Sequence, residues 1–209
     1  MLDVLSDEYF EARRIDIKER VSNHRYAHVC GVAACAEELA KTYGVNPSMA
    51  RLAGLLHDWD KCFDDEQIRA RVEELNLEID PFVLDKLPRV LHADTAAVAL
   101  KNEFPELPCE VLSAIKKHTL ASTDMSDLDM VVFCADGLEP NRNILHVDEL
   151  REIVGKVSLL ELFLRVYELW MDLTLSKRHW MHPDTVLIWN HYMNMVTHRK
   201  PMFDLKEND

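Results

Sequence analysis

Apolar residues recur every three or four positions along most of this 209-residue chain, the period of an amphipathic helix, while strand-like alternation is scarce. Glycine, which weakens helices, occurs only five times. Both facts point to an all-α fold. A first helix is expected after Ser6, a fitting N-cap, with Asp7 and Glu8 near its positive end. Across residues 24–43 the set Val29, Val32, Ala33, Ala36, Leu39 and Ala40 keeps helical spacing, and Gly44 stands where a C-terminal cap belongs. Asn46-Pro47 then opens a helix that carries Met49, Leu52, Ala53, Leu55 and Leu56 into His57-Asp58. Its Ala50, Ala53 and Gly54 permit close approach by neighbours. Further helices are expected over 64–75, 93–104, 109–118, 128–135, 147–175 and 184–197. The Pro-containing joints are short, and no repeat, low-complexity tract or composition shift marks a linker. One domain over 1–209 is the economical expectation.

Such a chain could bury roughly 70% of the surface it exposes when unfolded. Its 48% hydrophobic and 29% charged residues are ordinary for a globular protein. The formal charge of −13, with 37 acids against 24 bases, excludes a general nucleic-acid binder, because phosphate-backbone affinity rests on clustered Lys and Arg. An anionic small molecule would instead need metal ions and a few convergent cations inside one cleft. Cys30, Cys35, Cys62, Cys109 and Cys134 are odd in number and form no Cys-x-x-Cys pair, which argues against a disulfide framework or thiolate zinc site. No signal core is present and no apolar run approaches the roughly 20 residues of a membrane helix. The expectation is a cytoplasmic protein without a membrane partner.

His57-Asp58 ends the apolar helix, where an unpaired carboxylate and imidazole would be costly to bury. Alone, the dipeptide is a common accident at a surface helix end. His28, His92, His118 and Asp136 supply company, each within or beside an apolar pattern on a separate expected helix. Any one of these histidines alone is more often a hydrogen-bonded core residue. Together they run in the order H…HD…H…H…D, and helical bundles build metal sites from inward-facing His and carboxylate side chains in this way.

That order resembles the HD superfamily, and the local sequences resemble its YqeK-like branch of symmetrical dinucleoside tetraphosphate hydrolases. The likeness is carried by Arg25-Tyr-Ala-His28, by Ala53-Gly-Leu-Leu-His57-Asp58-Trp-Asp-Lys61, and by Leu91-His92 with the Ala-rich stretch after it. Ala114-Ile-Lys-Lys-His118-Thr119 and Ala135-Asp136-Gly-Leu-Glu139-Pro140-Asn-Arg142 continue it. The Asp-x-x-Glu-Pro-x-Arg element is the most specific piece, since the wider superfamily needs only the Asp. His182-Pro-Asp-Thr185 and Asn190 match the branch more weakly, while Gly137 and Leu120 depart from it at positions where an aromatic and a Thr-Gly turn are common.

The resemblance implies an HD-type helical bundle in which His28, His57, Asp58 and Asp136 bind one metal. It gives His92 and His118 a second, bridged by Asp58. Mixed imidazole and carboxylate ligands suit iron, manganese, zinc or nickel rather than calcium, and iron is the resemblance's suggestion. The implied reaction converts diadenosine tetraphosphate to two ADP by metal-activated hydroxide, without a covalent intermediate. No Walker-type loop is present, so phosphate would fall to the metals, to Arg25, three residues before His28, and to Lys61 and Arg142. Lys61, three residues after Asp58, could neutralise a bridging phosphate or assist the leaving group, and a solvated helix-end lysine is its plain alternative. His92 and His118 are placed on the substrate side as well. Thr119 either donates to phosphate or bonds its own backbone.

A nucleoside pocket could draw on His179, Trp180 and His182, although Trp170, Trp180 and Trp189 sit at spacings that serve a helical core equally well. His24, His146, His191 and His198 fall outside the pattern and are expected to be structural or exposed. Asp124, Asp127 and Asp129 lack the Gly turn and twelfth-position Glu of a calcium loop, so a solvated capping loop is expected there. Two other enzymatic readings stay open, another nucleotide or a phosphomonoester as substrate. So do a nucleotide sensor without turnover, whose mark would be loss of a ligand, and a helical interaction protein with core histidines. The oligomeric state is left open, a homodimer included.

Overall fold

A computed structural model describes residues 3–196. Among them helices and turns account for all regular structure. The order is α1 (Asp7–Arg20), α2 (Asn23–Tyr43), α3 (Pro47–Leu56), α4 (Asp65–Glu74), α5 (Pro81–Lys86), a 3-10 turn (Pro88–Leu91), α6 (His92–Glu103), α7 (Cys109–Lys117), α8 (Asp127–Leu138), α9 (Val147–Glu152), α10 (Leu159–Ser176) and α11 (Thr185–Met193). No helix among the described residues is long and apolar enough to cross a membrane. All five cysteines are free.

The caps fall where local chemistry places them. Ser6 and Ser22 accept from the backbone N–H of Tyr9 and Arg25, and Asn46 accepts from Ser48 and Met49 ahead of Pro47 in the first turn. Gly44 ends α2 in the left-handed region at φ 74°. Around α8, whose residues are buried almost without interruption, pack α2, α3, α7 and α10. A smaller apolar cluster of Ile68, Val72, Val83 and Leu91 joins α4 and α5 to the 3-10 turn.

The tightest crossing is that of α2 on α3. A Cβ at Gly54 would lie 3.0 Å from both the Ala33 Cα and the Val32 carbonyl oxygen. Both are backbone atoms of α2 that cannot step aside. Gly54→Ala should therefore destabilise the fold by about 1–3 kcal/mol, despite the better helix propensity of alanine. Chemical denaturation measures it, and an unchanged midpoint would show that the helices do not need this approach.

The structure departs from the sequence expectations in four places. The helix expected over 147–175 is two, because Gly155 turns the chain at φ 73° and Ser158 caps a fresh start by accepting from Glu161. The residues between 81 and 91 form α5 and the 3-10 turn, pieces too short to declare a period. The 124–129 loop does cap α8, through Ser126, but Asp129 is not solvated. Its buried carboxylate accepts from Ser126 N–H, from Ser113 Oγ at 3.3 Å and from Lys117 Nζ at 3.0 Å. The last expected helix ends at Met193, and Thr197 and His198 lie outside the described residues.

Candidate metal centre

Three of the four candidate histidines occupy the same kind of position. His57 follows the last residue of α3, His118 follows α7, and His92 follows the 3-10 turn as it opens α6. At such helix ends the last carbonyls have no helical N–H to accept. Each imidazole uses one, three residues back. Nδ1 of His57 donates to Gly54 O, that of His92 to Arg89 O and that of His118 to Ile115 O, each at 2.7 Å. The tautomer follows: with Nδ1 protonated, Nε2 carries the lone pair and faces inward. His28 lies inside α2, where the carbonyls are engaged in the helix, and its Nδ1 meets the Glu139 carboxylate at 3.0 Å.

Asp58 divides the inward nitrogens between its two oxygens. Oδ2 lies 3.4 Å from His57 Nε2 and 3.7 Å from His28 Nε2, while Oδ1 lies 3.1 Å from His92 Nε2 and 3.8 Å from His118 Nε2. Asp136 Oδ1 closes the first group, 3.0 Å from His28 Nε2 and 3.7 Å from His57 Nε2. Two overlapping triads, His28–His57–Asp136 and His57–Asp58–His118, bring their ligand atoms within 4.8 Å of one another. All six residues that the sequence nominated are thus in one place.

The donor set fits transition-metal ions. His57 Nε2 is a buried atom with no hydrogen-bond partner, an expensive arrangement for a lone pair unless a cation takes it. His92 Nε2 and His118 Nε2 face each other at 3.1 Å with both Nδ1 positions already donating, so two lone pairs confront one another. A cation between Asp58 Oδ1 and these nitrogens resolves that conflict too. The C-terminal, negative ends of α3 and α7 lie at His57 and His118, which favours positive charge there.

The electrostatics agree at His92 and His118, whereas at His57 burial is outweighed by Asp58 and Asp136, which raise its pKa, an excess of negative charge that a cation would also offset. Burial works against ionisation of Asp58, yet His57 and His92 beside it hold its carboxyl well below the usual range. Asp136 is likewise lowered, against its burial, by His28, Arg142 and His57. Burial, with His57 and His92 adding, pushes His118 well down, and burial with Lys61 lowers His92. Those two imidazoles are therefore neutral, the form that ligates metals.

The cluster forms the floor of a cavity of about 270 Å³ lined by Arg25, Asp58, Lys61, His92, His118, Thr119, Asp136, Arg142 and Trp170. Arg25 Nη1 donates to Asp58 Oδ2 at 2.8 Å. Arg142 donates to Asp136 Oδ1 at 2.5 Å and to the Asp136 carbonyl at 2.9 Å. Lys61 Nζ lies over the His92 ring, 3.4 and 3.5 Å from its nitrogens, and Thr119 Oγ1 lies 3.1 Å from His118 Nε2. Thr119 thus faces the cluster. The turn bearing these groups is held from behind by Arg20, which donates to Trp59 O at 2.7 Å and to buried Asp60 at 2.8 Å.

An apolar cavity of about 210 Å³ shares Thr119 and Trp170 with the first, and is lined further by Leu87, Leu120, Trp180, Met181 and His182 among others. His182 and Trp180 thus border this cavity. His179 does not: it is exposed and lines neither space, because Arg178 turns the chain at φ 53° just before it. Trp170, whose spacing fits a core aromatic equally well, packs against the core and also lines both cavities. A Cβ at Gly137 would meet Val166 at 2.9 Å and Trp170 Nε1 at 3.5 Å, so this glycine is what lets α10 bring Trp170 in.

Residues 25–141 match the HD domain family model. The chain is 33% identical over 175 residues to the symmetrical bis(5'-nucleosyl)-tetraphosphatase of Halalkalibacterium halodurans, spanning 83% of this chain and 91% of that protein. It is 29% identical over 174 residues to the enzyme of the same name from Bacillus subtilis, spanning 83% and 92%. Its fold is similar, at a TM-score of 0.83 and 26% identity, to an HD superfamily hydrolase of Clostridium acetobutylicum described as involved in NAD metabolism, covering 90% of this chain and 98% of that one. This chain belongs to the HD domain family.

Proposed function

We propose that this chain is a metal-dependent hydrolase of symmetrical dinucleoside tetraphosphates that converts diadenosine tetraphosphate and water to two ADP. The carrying observation is the division of Asp58, one oxygen toward His28 and His57, the other toward His92 and His118, beneath a cavity ringed by three cationic side chains. The names of the two relatives supply the substrate class. His28, His57, Asp58 and Asp136 would hold one ion, and His92 and His118 a second shared through Asp58. Iron, manganese, zinc and nickel suit these donors, and iron is the resemblance's choice. Bound there, such ions supply a nucleophile near neutral pH and offset charge on the phosphoryl oxygens.

The chain's own side chains do the rest. Arg25 and Arg142 orient the two carboxylates and present their remaining N–H groups to phosphate. Lys61 neutralises the leaving diphosphate, Thr119 donates to a phosphoryl oxygen, and the apolar cavity beyond Trp170 takes one nucleoside, with Trp180 and His182 at its border. Attack at one of the two central phosphorus atoms breaks its bond to the central bridging oxygen, so each product keeps two phosphates. The free cysteines fit a reducing cytoplasm.

Product chromatography is the test. Metal-loaded protein given diadenosine tetraphosphate should yield ADP alone. AMP together with ATP would mean cleavage of an outer phosphate bridge and overturn the symmetrical reading, and no turnover beside activity on a phosphomonoester would move the chain to another substrate.

A further inference from the structure

We infer that Glu139 is a positioning residue for the metal centre: it holds the His28 imidazole by Nδ1, and Gly31 exists to let it in. The inference rests on the reading of the six-residue cluster as a metal site. His28 stands apart from the other three histidines. They borrow backbone carbonyls left over at helix ends, whereas His28 lies within α2 and has none to borrow. The substitute comes from across the molecule. Glu139, the first residue after α8, is 1% exposed, and its Oε1 lies 3.0 Å from His28 Nδ1.

Three features show that the contact is built rather than incidental. The second carboxylate oxygen is occupied, since Oε2 accepts from Asn141 N at 2.8 Å and from Asn141 Nδ2 at 3.0 Å, leaving Oε1 for the imidazole. The loop is clamped from below, where Arg151 donates to the carbonyls of Leu138 at 2.9 Å, Glu139 at 2.5 Å and Arg142 at 3.0 Å. Space is reserved on α2, because a Cβ at Gly31, three residues after His28, would lie 2.5 Å from Glu139 Oε2 and 3.3 Å from Asn141 Nδ2. Glycine inside a helix is less stable than alanine. Here that sacrifice admits the carboxylate. The Glu-Pro-Asn-Arg part of the motif thereby divides into two roles. Glu139 and Asn141 fix His28 from outside, while Arg142 holds Asp136 from inside.

Fixing Nδ1 as the donor leaves His28 Nε2 as a lone pair aimed at Asp136 and Asp58, and an anionic acceptor makes that nitrogen a stronger donor to metal. Loss of such a partner typically weakens metal binding by about 10–100-fold. The effect should be confined to one of two sites, since His92 and His118 keep their own carbonyls.

The experiment titrates the full chain with Co²⁺ alone, following its visible ligand-field spectrum, in wild type, Glu139→Gln and Gly31→Ala. Wild type should bind two ions. Both variants should bind one of them about 10–100-fold more weakly with an altered spectrum, and the other unchanged. Gly31→Ala removes no polar group and gains helix propensity, and its methyl displaces only the end of the Glu139 side chain, so its melting temperature should change little while the site weakens. Wild-type affinity for both ions in both variants overturns the role of Glu139. Absence of Co²⁺ binding by wild type overturns instead the reading of the metal site.

Discussion

Replacement of Asp58 by alanine should empty the centre of metal and lower turnover by about 10³-fold or more. The size follows from what a bound metal contributes to phosphoryl chemistry, several kcal/mol, at a factor of about ten for each 1.36 kcal/mol. The completeness follows from geometry. Among the described residues, Asp58 is the one side chain whose two oxygens reach both groups of imidazoles, at 3.4 and 3.7 Å on one side and 3.1 and 3.8 Å on the other. Its removal also frees Arg25, which donates to Oδ2 at 2.8 Å, to lean toward the vacated space as a competing cation. Asp58→Asn separates charge from shape, because the amide keeps the volume but brings a neutral group to both sites. Elemental analysis of purified protein with steady-state rates decides the matter. One retained ion per chain in either variant would show that the two groups are independent and that Asp58 does not bridge.

The sequence carried the ligands because each lies on its own helical segment, where a histidine against an apolar stripe stands out, and because their order is a pattern rather than a spacing. Which ring nitrogen faces inward was not legible. It depends on carbonyls freed at the ends of α3, the 3-10 turn and α7, and these ends become exact only once the helices are built. Glu139 belongs to the Asp-x-x-Glu-Pro-x-Arg element, yet its role was hidden, since its contact with His28 spans 111 positions and depends on a missing methyl group at Gly31. His179 and His182 read alike because periodicity assigns no side to a non-helical turn, and the left-handed Arg178 separates them. The break at Gly155 and Ser158 had a visible stop and start signal. The amphipathic pattern running through both flanks outweighed it.

Lys61 differs from the other two cations of the cavity in a way that sets the second large effect. Arg25 and Arg142 are each paired with a carboxylate, at 2.8 and 2.5 Å. No carboxylate among the described residues forms an ion pair with Lys61, whose ammonium rests against the face of His92. Burial, together with Arg25 and Arg142, lowers its pKa despite the pull of Asp58 and Asp136. A half-buried cation without its own anion weakens the fold that holds it, and sites that accept such a cost use the charge on a ligand. Lys61→Met should then move two quantities in opposite directions. The turnover number should fall about 10²–10³-fold, the loss expected when a preorganised charge is taken from a transition state, while metal stoichiometry stays at the wild-type value. The melting temperature of the substrate-free protein should hold or rise, because a group of similar length without charge replaces one that is costly to bury. Kinetics, metal analysis and thermal denaturation on one preparation measure all three. A rate within a few-fold of wild type would return Lys61 to the role of a solvated helix-end residue, and a drop in both rate and melting temperature would mean that it holds the His57–Lys61 turn together rather than serving the leaving group.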